Sequence, residues 1–317
     1  MHSLRLLLAL LVLFSAAATA AADKPEKLTV LLDWFVNPDH APLVVALEKG
    51  FFAKQNLDVD LIAPADPNDP PKLVAAGKAD IALSYQPQLH IQINQGLPLK
   101  RIGTLIATPL NCVLVLKSSP IHSLADLKGR KIGYSVSGFE DVLLKAMLEK
   151  YGIGPDQATL INVNFSLVPA LISGQVDAVI GAFRNFEPNQ LAILGKPGRA
   201  FYLEEEGIPA YDELVIVARR DETKDPRLQR FMAAVEQGVL YLINHPDDAW
   251  ALFIKRYPKL DDKLNRRAWR DTLPRFALRP SALDNGRYRL FARFLAERKL
   301  INTPLPVSNY AVELGNE

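Results

Sequence analysis

The chain has 317 residues, with 37 lysines and arginines against 35 aspartates and glutamates, a formal net charge of +2 and a single cysteine, Cys112. This balance, without a basic block before residue 219, gives no electrostatic support for binding a nucleic acid. One cysteine excludes an internal disulfide, so stability must come from a hydrophobic core, which a chain of this length can build.

The N-terminus has the pattern of a secretory signal peptide. Arg5 precedes the apolar run 6–14, and Ala18-Thr19-Ala20 fits an A-x-A cleavage site. The run is shorter than the roughly 20 apolar residues that span a bilayer, which argues against the alternative of an uncleaved anchor. We predict a signal peptide over residues 1–20, cleaved after Ala20 or Ala22. Because no cysteine follows the run, we expect a soluble periplasmic protein and not a lipoprotein.

The first part of the mature chain alternates strands and helices. A loop at residues 63–71 contains four prolines and has no room for a helix. Around this loop we predict strands at 28–32, 58–62, 79–84 and 100–107, and helices at 41–54, 72–76 and 86–95.

The chain then crosses into a second α/β region and returns. Pro109 marks an extended crossing at residues 108–117, and a second crossing lies near residues 205–214. Between them we predict strands at 113–116, 131–135, 159–163 and 199–203 and a helix at 138–151, with capping-box spacing from Ser137 to Glu140. Beyond the second crossing we predict a strand at 214–217 and helices at 226–244, 246–256, 262–271 and 281–299.

A short internal repeat indicates two similar lobes. Residues 73–82 and 171–180 each place a glycine after a helix and an aspartate before an apolar strand. Gly77 aligns with Gly174 and Asp80 with Asp177. We predict an α/β fold in which residues 23–110 and 215–317 form lobe 1 and the inserted residues 111–214 form lobe 2. Two hinge crossings and a ligand cleft between the lobes follow from this division.

One segment near the N-terminus resembles a known family. Leu32-Asp33-Trp34-Phe35-Val36-Asn37-Pro38-Asp39-His40, together with Gly181-Ala182-Phe183-Arg184-Asn185-Phe186-Glu187, resembles the ThiY-like substrate-binding proteins of the thiamine pyrimidine synthase family. The resemblance covers roughly residues 27–255. It implies a type II periplasmic-binding-protein fold and a role as the receptor of an ABC importer for a formylated aminopyrimidine, a thiamine precursor.

Two alternatives stay open. The receptor could bind another small planar or anionic solute, such as a flavin precursor, nitrate or a sulfonate. Related fungal proteins are pyrimidine synthases with a pyridoxal-phosphate lysine and a cysteine-rich run. Here Ser84 aligns with that lysine, and residues 205–213 contain no cysteine. We therefore predict a binding protein without catalytic residues, cofactor or metal, and a monomer that delivers its ligand to a permease.

The candidate ligand-binding residues of the first half follow predicted strands. Trp34 lies at the carboxyl edge of the first strand, where open α/β sheets bind ligands, and can stack on a flat ring. Asn37 and His40 follow in the next turn, where both residue types also form local hydrogen bonds. Tyr85 ends the first repeat strand.

The second half supplies the other candidates. Phe183 ends the second repeat strand and should face Tyr85. Glu187 can accept a hydrogen bond from an exocyclic amine, with Asn185 as a companion, whereas Arg184 should be solvated. The amides of Ser135, Ser137 and Gly138 lie at a predicted helix start, where a ligand oxygen could bind. Tyr211 and Asp212 lie at the return crossing and could line the cleft.

Overall fold

The computed structural model describes residues 24–315. The predicted signal peptide, residues 1–20, lies outside this range. Within it, no helix combines the length and the hydrophobicity that a membrane span requires.

The described chain forms two five-stranded sheets of the same design. The first sheet contains β1 (Glu26–Leu31), β2 (Leu57–Ile62), β3 (Ile81–Ser84), β4 (Leu99–Ile106) and β10 (Leu214–Arg219). The second contains β5 (Asn111–Leu116), β6 (Lys131–Tyr134), β7 (Thr159–Asn162), β8 (Ala178–Phe183) and β9 (Gly198–Tyr202). The orders are β2-β1-β3-β10-β4 and β7-β6-β8-β5-β9. In each of these orders the first three strands are parallel to one another. The fourth strand, β10 or β5, is antiparallel to both of its neighbours. The α/β fold class is thus confirmed.

The chain passes between the sheets twice. It leaves the first sheet after Ile106 and returns to it at Leu214, which pairs with Ile106. Leu214 lies one residue before position 215, where the second segment of lobe 1 was predicted to begin. The division of the chain into two lobes stays a prediction. Below, lobe 1 denotes the first sheet with the helices packed on it, and lobe 2 denotes the second sheet with its helices.

Helices cover both faces of the sheets, which explains why the strands are so apolar. The helices are α1 (Ala41–Glu48), α2 (Phe51–Lys54), α3 (Pro70–Ala75), α4 (Gln86–Asn94), α5 (Glu140–Glu149), α6 (Leu167–Ser173), α7 (Glu187–Ile193), α8 (Pro226–Asn244), α9 (Pro246–Arg256), α10 (Lys263–Thr272) and α11 (Asn285–Glu297). The predicted helix at 41–54 is interrupted at Gly50, whose φ is +67°. Helix α3 begins inside the predicted loop 63–71, because proline is compatible with the first turn of a helix.

The repeat has a structural basis that is the same in both sheets. Gly77 and Gly174 have φ values of +69° and +75°, the left-handed conformation that ends a helix. Asp80 Oδ2 accepts a hydrogen bond from Thr29 N at 2.8 Å, and Asp177 Oδ2 accepts one from Lys131 N at 2.9 Å. Each aspartate thus joins its strand to the neighbouring parallel strand.

The predicted capping box at residues 137–140 is wrong. Phe139 precedes α5 and provides no side-chain cap, while Ser137 Oγ accepts a hydrogen bond from Asn162 Nδ2. Glu140 instead turns inward, and its Oε2 accepts hydrogen bonds from Ser135 N and Val136 N. Gly138, with φ +74°, reverses the chain just before the helix and permits this arrangement.

Candidate functional site

A cavity lies between the two sheets, at the ends of β1, β3 and β8. About 380 Å³ of space is free of protein atoms here, including solvent at the opening of the cavity. Each lobe supplies half of its lining residues, which are Asp33, Trp34, Asn37, Asp39 and Tyr85 of lobe 1 and Glu140, Gly181, Phe183, Phe186 and Glu187 of lobe 2. Aromatic and carboxyl side chains dominate, and none of the lining residues is a lysine or arginine.

Asp33 organises the lobe 1 wall. Its Oδ1 lies 2.9 Å from His40 Nε2, and its Oδ2 accepts a hydrogen bond from Tyr85 OH at 2.9 Å. Asn37 N donates to His40 Nδ1 at 3.2 Å, so Nε2 carries the proton that bonds Asp33. His40 is fully buried and does not line the cavity. In the structure its contacts are thus with Asp33 and with the backbone of Asn37.

Aromatic rings from both lobes meet around the cavity. Tyr85 lies edge-to-face with Phe183, with ring centroids 6.2 Å apart and planes at 89°. It also stacks on Phe139 at 5.2 Å, and Trp34 contacts Phe165 of lobe 2 edge-on at 4.5 Å. The structure thus brings together the three aromatic residues that the sequence predicted, Trp34, Tyr85 and Phe183, and their role in binding stays a proposal.

Asn37 and Asn185 are occupied by contacts within the protein. Asn37 Nδ2 donates to Phe35 O, and its Oδ1 accepts from Asp39 N. Asn185 Nδ2 donates to Asp39 Oδ1 and Thr272 Oγ1, both at 2.6 Å. Asn185 therefore connects the lobes behind the cavity, which differs from its predicted ligand contact. Burial raises the pKa of Asp39 to about 6.

Glu187 is the first residue of α7 and lines the cavity. Its Oε2 accepts a hydrogen bond from Phe183 N at 2.6 Å. Burial raises its pKa to about 7, against the lowering effect of this and a further backbone hydrogen bond. The carboxyl can therefore exchange a proton near neutral pH.

The sequence prediction missed several members of the site. Asp33, Asp39 and Phe186 stand inside the motifs that carried the family resemblance, so those motifs were an available signal. Gly181 also stands in those motifs, as the first residue of the second one. Glu140 gave a weaker signal, since it does not stand out before α5 and β8 are packed together.

The amides of Ser135, Ser137 and Gly138, predicted to bind a ligand oxygen, have hydrogen-bond partners within the protein. Ser135 N donates to Glu140 Oε2, Ser137 N to Asn68 Oδ1 and Gly138 N to Asp141 Oδ1. All three acceptors are oxygens of side chains, so each of these backbone amides is already engaged in the structure.

Tyr211 and Asp212 lie outside the cavity lining, so the structure does not bring them to the site. Tyr211 OH donates to Glu213 Oε2 at 3.1 Å. Asp212 accepts a hydrogen bond from Thr104 Oγ1 and forms an ion pair with Arg287. Both residues hold the return crossing in place.

Arg184, expected to be solvated, is instead paired. Its guanidinium binds Glu204 through two hydrogen bonds of 2.6 and 2.7 Å and lies over the Tyr202 ring.

Sequence comparisons agree with the geometry. The model of the family described as "NMT1/THI5 like" matches residues 37–249. The chain belongs to this family. A protein of Haemophilus influenzae named as a thiamine biosynthesis protein is 54% identical over 290 residues, which are 91% of this chain and 92% of that protein. The formylaminopyrimidine-binding protein of Halalkalibacterium halodurans is 36% identical over 248 residues, 77% and 75% of the two chains.

More distant relatives and solved structures complete the comparison. A 4-amino-5-hydroxymethyl-2-methylpyrimidine phosphate synthase of Uromyces fabae is 32% identical over 254 residues, 76% of this chain and 74% of that protein. The alkanesulfonate-binding protein SsuA of Xanthomonas axonopodis has a TM-score of 0.70 and 17% identity, covering 92% of this chain and 99% of that chain. A Candida albicans protein with the generic periplasmic-binding-protein fold has a TM-score of 0.71 and 17% identity, covering 90% and 96%. These matches confirm the periplasmic-binding-protein fold.

Proposed function

We propose that this protein is the periplasmic receptor of an ABC importer and that it binds a formylated aminopyrimidine, a precursor of thiamine. The observation that carries the proposal is a cavity between the lobes in which aromatic faces stand next to buried carboxyls. A receptor of this kind closes on its ligand and presents the closed form to a permease. We propose that it does so as a monomer.

The two kinds of lining residue fit two features of such a ligand. Trp34, Tyr85 and Phe183 offer faces and edges for a flat ring, and stacking of this kind contributes about 1–3 kcal/mol per ring. Glu187 Oε2 already accepts a backbone hydrogen bond, which leaves its Oε1 for a ligand amine. A hydrogen bond to a charged group contributes about 1.5–3 kcal/mol.

The alternative of an anionic solute is less well supported. The solved sulfonate-binding structures show that the fold accommodates anions. This cavity, however, is lined by Asp33, Asp39, Glu140 and Glu187 and by no lysine or arginine. A sulfonate or nitrate would bring its charge into a buried cavity whose lining offers no cation to pair with it, at a large cost in desolvation.

The alternative of a pyrimidine synthase is favoured by the names of the distant relatives. Ser84, which aligns with the synthase lysine, is buried, and its Oγ donates to Gln88 Oε1 at 2.9 Å. Serine has no amine with which to form a Schiff base. We therefore propose binding without turnover. Incubation with iron, pyridoxal phosphate and oxygen should yield no pyrimidine product, and a stoichiometric product would contradict binding without turnover.

Mass spectrometry of the ligand released from the purified protein tests the proposal directly. We expect a formylaminopyrimidine, and calorimetric titration should then show one site per chain for this compound and none for an alkanesulfonate. Binding of the sulfonate in preference to the pyrimidine would overturn the proposed ligand.

A further inference from the structure

Glu140 forms part of the lobe 2 wall, and Gly181 provides the space for it. The Glu140 side chain is 4% exposed and follows the reversal at Gly138. Gly181 has a φ of +94°, and a Cβ at this position would lie 2.5 Å from both Cδ and Oε2 of Glu140. Any larger residue would displace the carboxyl from the cavity. Glycine at 181 and glutamate at 140 therefore form one feature of the site.

The two carboxyl oxygens of Glu140 differ in their surroundings. Oε2 accepts hydrogen bonds from Ser135 N at 2.7 Å and Val136 N at 3.1 Å. Within residues 24–315, no protein group donates a hydrogen bond to Oε1, and no cation forms a salt bridge with this carboxyl. Lys145 of the same helix pairs with Asp141 instead. Oε1 is thus the oxygen available to a ligand.

The titratable groups around Glu140 are acids. They are Asp141 on its own helix, Tyr85 from lobe 1, Glu213 at the return crossing, and Asp33, Asp39 and Glu187 in the same cavity. Arg298 of α11 contacts the opposite end of α5, at Ala146 O and Glu149. Burial, with smaller contributions from the nearby acids Glu213 and Asp141, raises the pKa of Glu140 to about 8, against the lowering effect of the hydrogen bonds from Ser135 N and Val136 N. Such a carboxyl holds its proton at neutral pH when the cavity is closed.

We infer that Glu140 acts as a neutral carboxylic acid whose Oε1–H donates a hydrogen bond to an acceptor atom of the ligand. The proton belongs on Oε1, because Oε2 already faces two backbone donors. The ligand must then present an uncharged acceptor, a carbonyl oxygen or a ring nitrogen, on the edge that faces α5. This inference rests on the proposed function and adds to it a second polar contact. In this contact Glu140 donates a hydrogen bond to the ligand, whereas an ionised Glu187 accepts one from it.

Proton counting tests the inference. Titration of a formylaminopyrimidine into the protein, in buffers of different ionisation enthalpy, gives the number of protons taken up per ligand bound. At pH 7 we expect the wild type to take up more protons than Glu140→Gln, by up to one per ligand. Glutamine keeps an acceptor and a donor, so the variant should bind within a few-fold of the wild type at that pH. A melting curve checks that the variant folds.

The pH profile supplies a second readout. From about pH 7 upwards, the wild-type affinity should fall by up to about tenfold more per pH unit than that of Glu140→Gln, since the slope of the profile equals the number of protons gained on binding. Glu149→Gln is the control, because Glu149 is an exposed residue at the other end of α5. It should match the wild type in both proton count and pH profile.

The outcomes separate the inference from the function. If Glu140→Gln weakens binding equally at every pH and leaves the proton count unchanged, Glu140 is an ionised acceptor and the inference is wrong. If the variant equals the wild type in every respect, Glu140 does not contact the ligand. If neither protein binds the formylaminopyrimidine, the proposed function fails first. The same titrations with the corresponding amine, which lacks the formyl group, identify the acceptor atom. If the difference in pH slope between the wild type and Glu140→Gln disappears with the amine, the formyl oxygen is the acceptor. Retention of the slope would identify a ring nitrogen.

Discussion

Trp34 is the residue whose replacement separates ligand stacking from packing between the lobes. It is half-buried, it lines the cavity, and it contacts Phe165 across the mouth. Its neighbour Phe35 also contacts Phe165, with ring centroids 4.3 Å apart, but is 53% exposed and does not line the cavity.

We predict that Trp34→Ala lowers the affinity for a formylaminopyrimidine roughly five- to 150-fold, from the loss of about 1–3 kcal/mol of stacking. Phe35→Ala should change it much less. Calorimetric titration measures both, with melting curves as a check on folding. If both variants lose affinity equally, the contact with Phe165 matters and stacking on the ligand does not.

At the scale of elements, Glu213 joins the two crossings. Its Oε2 accepts hydrogen bonds from Leu110 N and Asn111 N, at 2.5 and 2.8 Å, and from Tyr211 OH. The return crossing is thereby tied to the start of β5. Burial raises the pKa of Glu213 to about 7.

This raised pKa predicts a pH dependence of stability. The folded protein binds the Glu213 proton more tightly than the unfolded chain, whose pKa is near 4.5. The stabilising effect is therefore complete below about pH 4.5 and is lost as pH rises through about 7, by up to about 3 kcal/mol. Glu213→Gln should remove this contribution, so that its stability falls less than that of the wild type between pH 5 and 8. Chemical denaturation measures the difference.

Glu205→Gln, at an exposed position, is the control, and its stability should follow that of the wild type across this pH range. Parallel stability profiles for Glu213→Gln and the wild type would contradict the prediction.

The repeated aspartates allow a second prediction at this scale. Asp80 and Asp177 make equivalent bonds in separate sheets and share no partner. Replacement of either by alanine should lower the free energy of unfolding by about 1–2 kcal/mol, the effect of losing a hydrogen bond to a charged acceptor. The double variant should show the sum of the two losses. Asparagine at either position keeps an acceptor and should lose less. A clearly non-additive double variant would show that the two sheets are energetically coupled.

At the scale of the molecule, two sets of side-chain contacts connect the lobes. Asn185 of lobe 2 bonds Asp39 and Thr272. Asn68 of lobe 1 bonds Ser135 O and Ser137 N of lobe 2. If the protein is the hinged receptor proposed above, it opens by breaking these contacts.

We expect ligand to lower the radius of gyration in small-angle scattering, because it draws the lobes together. Asn185→Ala should shift the ligand-free protein towards the open form and weaken binding by about tenfold or more, since Asp39 loses a partner while buried. Asn94→Ala, which removes a bond made within lobe 1, should change neither quantity. An unchanged radius at saturating ligand would count against a hinged receptor.

The order of the elements and their grouping into two similar α/β units could be predicted from the sequence. Apolar periodicity is local, and the repeat around Gly77 and Gly174 is visible as a repeated pattern of letters. The same local reasoning identified Trp34, Tyr85 and Phe183, because a residue that ends a buried parallel strand lies at the edge where the cavity forms. Helix ends were less certain, as the break at Gly50 shows.

The polar part of the site was decided by the tertiary structure. Whether a backbone amide is free depends on acceptors that can lie far away in the chain. Asn68, 69 residues before Ser137, accepts the hydrogen bond of the Ser137 amide. Whether a carboxyl is charged depends on burial, and Glu140 is buried only because Gly181 leaves space for it. The sequence by itself determined two α/β units and the aromatic faces between them, since those depend on local pattern. Only the packing of the lobes decided which polar groups remain available to a ligand and in which protonation state, because desolvation and hydrogen-bond partners are properties of the folded chain.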